Sequence, residues 1–119
     1  MKRSEGVRTY ELFANQSVSP NGYVESQPMS LKNASGYLSI QADIEEGTFD
    51  IDVYVSNFKD PSTSNWSSAI SVATGLTSSD KDPIAVDLDG VHMWMKIRVT
   101  ETGGSGSPAF GDGIAVCID

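Results

Sequence analysis

Apolar side chains recur at every second position through most of this chain. In GYLSIQADIE, Leu38, Ile40, Ala42 and Ile44 share one face, and Ser39, Gln41, Asp43 and Glu45 share the other. TFDIDVYVS sets Phe49, Ile51, Val53 and Val55 against Asp50, Asp52 and Tyr54. PIAVDLDG sets Ile84, Val86 and Leu88 against Ala85, Asp87 and Asp89. VHMWMKIRVT sets Val91, Met93, Met95, Ile97 and Val99 against His92, Trp94, Lys96 and Arg98. GIAVCID adds Ile114, Val116 and Ile118, with Cys117 on the opposite face. A period of two is the pleat of a half-buried strand, and helical spacing is nearly absent. Weaker strand patterns cover 7–14, 22–31 and 66–73. Turn residues separate them at Pro20-Asn21-Gly22, Asn33 to Gly36, Asp60-Pro61, Asp80 to Pro83 and Asp89-Gly90. The expected fold is all-β: one antiparallel β-sandwich domain over 1–119, jelly-roll-like, with about eight strands. An N-terminal arm over 1–7 and a flexible Gly/Ser loop over 102–111 complete it.

Residues 43–52, DIEEGTFDID, predict a hairpin turning at Glu46-Gly47, where glycine is free to take positive φ. Ile44 would then face Phe49, Ala42 would face Ile51, and Asp43 would face Asp50. A slip of one residue would turn an apolar set to water, so the register looks well determined. The stretch holds five carboxylates in ten residues. Asp43, Asp50 and Asp52 are expected on a solvated outer face, with Lys96 and Arg98 as countercharges on a neighbouring strand. A basic partner or a divalent cation are the other readings, although a flat strand gathers calcium's six to eight oxygens poorly.

The 119 residues carry 16 acidic and 8 basic side chains, a formal charge of −8. Phosphate backbones and anionic membranes are therefore excluded as expected partners. The one cysteine permits no internal disulfide, so packing must supply the stability. The start, MKRSEGVRTYEL, has no apolar run after its basic residues, so no signal peptide is expected and synthesis is assigned to a host cytoplasm.

Catalytic equipment is sparse. His92 is the one histidine, on an outward strand position, and no nucleophile elbow accompanies the many serines. GGSGSPAFGDG lacks the GKS or GKT ending of a phosphate loop. Asp87-Leu88-Asp89-Gly90 resembles the start of a calcium loop, but a strand resumes too soon, and a hairpin turn is expected instead. Asp50 and Asp52, about 7 Å apart along a strand, would suit glycoside hydrolysis only with a cleft and an apolar pocket. No enzyme activity, cofactor or metal is expected. Tyr54, Trp66 and Trp94 point to the polar side and could form a sugar-stacking platform, which makes a carbohydrate-binding module the alternative function.

The succession ANQSVSPNGYVESQPMSLKNASGYLSIQADI, GTFDIDVYVS, VHMWMKIRVTETGG and GIAVCID resembles small virion structural proteins of tailed bacteriophages, as a pattern of strands and turns covering nearly the whole chain. The resemblance implies a β-sandwich used structurally, as a head-decoration or cement protein or a neck or tail component. It implies a homo-oligomer (a trimer is plausible) docking on other virion proteins such as the major capsid protein, with no catalytic residues. The contacts assigned to that role are Arg3, Val7, Tyr54, Trp66, Trp94, Ser105, Pro108 and Phe110.

Overall fold

The computed structural model describes residues 7–62 and 64–119, and everything below concerns those. They form nine strands: β1 (Arg8–Leu12), β2 (Tyr23–Glu25), β3 (Met29–Ser30), β4 (Tyr37–Glu46), β5 (Phe49–Ser56), β6 (Ile70–Leu76), β7 (Ile84–Asp87), β8 (Trp94–Glu101) and β9 (Ala109–Ile118). Two antiparallel sheets result. One runs β1-β9-β4-β7; the other runs β2-β8-β5-β6, with β3 also on β8. β2 and β3 are two pieces of one edge strand, broken around Pro28, which has no N–H to give the ladder. That break accounts for nine strands where about eight were expected.

Only β2 to β3 and β5 to β6 connect strands within one sheet; every other connection crosses to the opposite sheet. This is the wrapped order of a jelly roll, as the alternation and turn spacing suggested. The predicted hairpin at 43–52 is a different object. β4 and β5 lie in opposite sheets, so residues 47–48 form an arch over the edge of the core. Asp43 pairs with Gly113 and Asp50 with Thr100, not with each other, and Ile44 pairs with Phe110. Alternation records which face of a strand is buried but not which sheet holds it. An arch brings apolar faces together through the core, a hairpin brings them side by side, and both satisfy the same pattern. The turn at Asp89-Gly90 is likewise a crossover, not a hairpin.

The core is the one that the pattern specifies. Ile40, Ile44, Phe49, Ile51, Val53, Met95, Ile97, Val99, Ile114, Val116 and Ile118 are all buried. Phe110 stacks on Phe49 from the other sheet (ring centroids 4.9 Å apart) and on Phe13 (5.7 Å). Val91 and Met93 depart from expectation. Regular pairing in β8 begins only at Trp94, so their inward parity is not met by an opposing sheet, and both are exposed.

Gly113 shows how tightly the four-stranded sheet is built. It has φ +90°, and a Cβ there would collide with the Leu12 carbonyl oxygen. β9 bulges at this point against β4, where register shifts flank Ile44.

Candidate functional site

The outer face of the five-stranded sheet carries a row of alternating rings and cations. Lys96 and Arg98 stand at i and i+2 on β8 and therefore project together. The Arg98 guanidinium lies 4.3 Å from the Tyr23 ring centroid and 5.3 Å from that of Tyr54. Lys96 Nζ lies 5.5 Å from Tyr54 and 4.8 Å from Trp66. Both cations donate to Glu25: Lys96 Nζ to Oε1 at 3.0 Å, and Arg98 Nε to Oε2 at 2.9 Å. Burial works against the ionised Glu25, but the bonds and charges of Lys96 and Arg98 outweigh it and hold its carboxyl below the ordinary value.

Lys96 and Arg98 were expected to balance Asp50 and Asp52, and they do share their sheet, Asp52 directly across from Arg98. Their ion pairs nevertheless go to Glu25, a residue that the alternation left without a role. Asp50 instead accepts the Gly75 N–H at 2.9 Å. Replacing Glu25 with Gln is expected to lower stability by about 0.5–1 kcal/mol, the range of partly exposed pairs, as read from urea unfolding at neutral pH.

Tyr54 and Trp66, two members of the predicted aromatic platform, are half-buried beneath Lys96, which occupies ring surface that a sugar would need. Trp94 shares the outer parity of β8 with Lys96 and Arg98 and lines an open groove of about 310 Å³ with Pro28, Lys59, Asp60 and Pro61. Its Nε1–H is enclosed without an acceptor among the described residues.

The predicted assembly contacts separate as well. Phe110 and Pro108 are buried, and Phe110 belongs to the core, because β9 begins at Ala109 and its inward parity takes Phe110 with it. Ser105 is tied down, its Oγ donating to Glu46 Oε2 at 2.6 Å. Val7 is half-buried, and Arg3, with the rest of the arm to residue 6, lies outside the described residues.

The 102–108 connection is organised by Glu101, which continues the inward parity of β8 and is 1% exposed. Its Oε1 accepts the Asn21 and Gly104 N–H groups, both at 2.9 Å. Its Oε2 accepts those of Gly103 at 2.8 Å and Thr48 at 3.4 Å. Three crossovers, β1 to β2, β4 to β5 and β8 to β9, therefore meet on one carboxylate. The Asn21 N–H leads the backbone donors that hold this carboxyl below its ordinary value despite the cost of burial.

Acidic residues elsewhere have local roles. Asp43 accepts Lys81 Nζ at 2.6 Å and the Asp112 N–H at 2.7 Å, which lower its carboxyl, the lysine first. His92 Nε2 lies 3.1 Å from the Leu88 carbonyl, and Cys117 is half-buried between Thr9 and Ser39 on the outer face of the four-stranded sheet. Among the described residues no three His, Cys, Asp or Glu side chains gather where they could hold a metal.

At the opposite end from Glu101 several large apolar side chains are exposed. Phe58 (60% exposed), Val91 (78%) and Met93 (44%) stand on the β5–β6 and β7–β8 connections, and Tyr37 (62%) opens β4 directly after the β3–β4 connection. These connections are bonded to one another. The Leu88 N–H donates to the Gly36 carbonyl, the Leu31 N–H to that of Met93, and the Met93 N–H to Asn57 Oδ1. A Cβ on Gly36 (φ +95°) would lie 2.6 Å from the Gly90 carbonyl oxygen, so these two loops touch backbone to backbone. This apolar end was not foreseen, because Val91 and Met93 were assigned to the interior and Phe58 and Tyr37 carry no local motif.

No protein-family model and no curated protein matches the chain. Among solved structures it is similar to a point mutant of the VP2 protein of infectious bursal disease virus, in derived T=1 particles. The sequence identity is 16% and the TM-score 0.40, over 94% of this chain and 32% of that one. The chain spans about a third of the length of that structure.

Proposed function

We propose that this protein is a non-enzymatic structural component of a virus particle. Within that class, the sequence resemblance favours a capsid decoration or cement protein of a tailed phage, one that self-associates and docks on shell proteins such as the major capsid protein. The observation that carries the proposal is the gathering of Tyr37, Phe58, Val91 and Met93 on one end of a closely tied jelly roll. Large apolar side chains left exposed together at one end of a domain are what a contact surface with another molecule requires. Its construction from three mutually bonded loops keeps the ordering cost of an encounter low. The side-chain chemistry points the same way: Glu25, Asp43, Glu46, Asp50 and Glu101 hold local structure together, and Lys96 and Arg98 lie against the rings of the five-stranded sheet.

The test is composition. Mass spectrometry of gradient-purified particles from an infected culture that expresses this chain is expected to find it as a stoichiometric, multi-copy component. A chain abundant in the lysate and missing from the particles would end the proposal.

A further inference from the structure

We infer that the apolar end formed by Tyr37, Phe58, Val91 and Met93 is where a second copy of this same chain docks. The inference rests on the reading of that end as an assembly contact and names its occupant. The choice of occupant comes from the charges around the apolar centre. Among the described residues, Lys81, Lys96 and Arg98 are committed to ion pairs with Asp43 and Glu25. Lys32 and Lys59 make no ion pair there, and both are exposed on the loops of the apolar end.

Asp60 and Asp89 stand exposed on the same loops and Asp87 ends β7 beside them, none paired with a cation among the described residues. The end is therefore apolar at its centre and carries uncommitted charges of both signs at its rim. A rotated copy presents lysines to aspartates and aspartates to lysines while the apolar centres meet, which is the self-complementarity that a two-fold contact requires. A sugar or a lipid surface would leave most of this mixed rim unmatched, and a strongly basic partner would meet the lysines as well as the acids. Aromatic residues and Met are the types enriched where proteins meet, and lysines belong at the rim. Tyr23, the remaining large exposed apolar side chain among the described residues, is not part of this surface and lies against Arg98 on the five-stranded sheet.

The experiment is sedimentation velocity and native mass spectrometry of the purified chain from about 1 to about 500 µM, a span that brackets micromolar contacts. The parent protein is expected to self-associate with rising concentration. Val91→Asp with Met93→Asp is expected to weaken that association by about 100-fold or more, the scale of central interface residues. Both positions are exposed, so the thermal transition of the variant should match that of the parent and separate lost contact from lost folding. Lys32→Glu with Lys59→Glu is expected to weaken association by about tenfold, as rim charges do. A parent chain that stays monomeric throughout overturns the inference, as does a Val91→Asp, Met93→Asp variant that folds and associates like the parent. Binding of the monomer to phosphatidylcholine vesicles through this end would overturn it in favour of a membrane. A chain found in particles but monomeric in solution sinks this inference and leaves the structural role in a virus particle standing, without its self-association. One that associates through this end but is absent from particles does the reverse.

Discussion

Phe110→Ala is expected to destabilise the protein by about 3–5 kcal/mol, close to the whole stability of many domains of this size. The ring is 1% exposed and joins the two sheets, stacked between Phe13 and Phe49. Its β9 position faces Ile44, at the point where β4 and β9 shift register, so the backbone there is already irregular and poorly able to close over a cavity. Urea unfolding gives the measurement, with a lowered midpoint and a slope that stays near the parent value. The experiment also separates two roles for this residue. An interface phenylalanine would lose assembly at constant stability; a core phenylalanine loses stability first. A change below about 1 kcal/mol would contradict the core assignment, since buried aromatic truncation does not cost so little.

Glu101→Gln is expected to lower the melting temperature by roughly 5–15 °C at pH 7, the scale for losing bonds to a buried charged acceptor in a small domain. The amide keeps the shape but has one oxygen where the carboxylate has two, and its NH2 faces backbone N–H groups that need acceptors. The pH dependence follows from the direction of the shift. Four N–H donors hold the folded carboxyl below its ordinary value, against about 4.3 in an unfolded chain. Protonation is therefore easier unfolded than folded. The contribution of Glu101 is fully present above the unfolded value and is lost as pH falls through the folded one. Glu25 and Asp43, also lowered, act in the same direction. Melting temperature measured from pH 7 down to about pH 3 should fall in the parent, and fall less steeply in the Gln variant. Parallel curves would remove Glu101 from the account of acid sensitivity. The groups facing this carboxylate are backbone amides, and Glu46 holds the same connection from its other side through Ser105 and the Ser107 N–H.

Some features of the candidate site could be read along the chain. The outward parity of Tyr54, Lys96 and Arg98 placed them on one sheet face, and pairing of β5 with β8 confirms that placement. Their role as a charged row around Glu25 could not be read, because Glu25 lies on a short edge strand whose alternation is too brief to orient it. Glu101 left a signal in the sequence: a carboxylate at an inward position after Met95, Ile97 and Val99. What it binds depends on three loops from distant parts of the chain.

The sequence by itself determined which side chains face inward, and with them an all-β, two-layer architecture. A period of two across so many segments has no other way to bury its apolar half. The tertiary structure decided which sheet each strand joins. It made the acidic stretch at 43–52 an arch, it took Phe110 into the core, and it left Val91 and Met93 beyond the last pair of β8. The physical reason is the same in each case. Alternation is a property of one strand and its solvent, whereas pairing, crossover and the end of a sheet are set by partners far along the chain. The apolar end that carries the functional proposal arises where those partners stop.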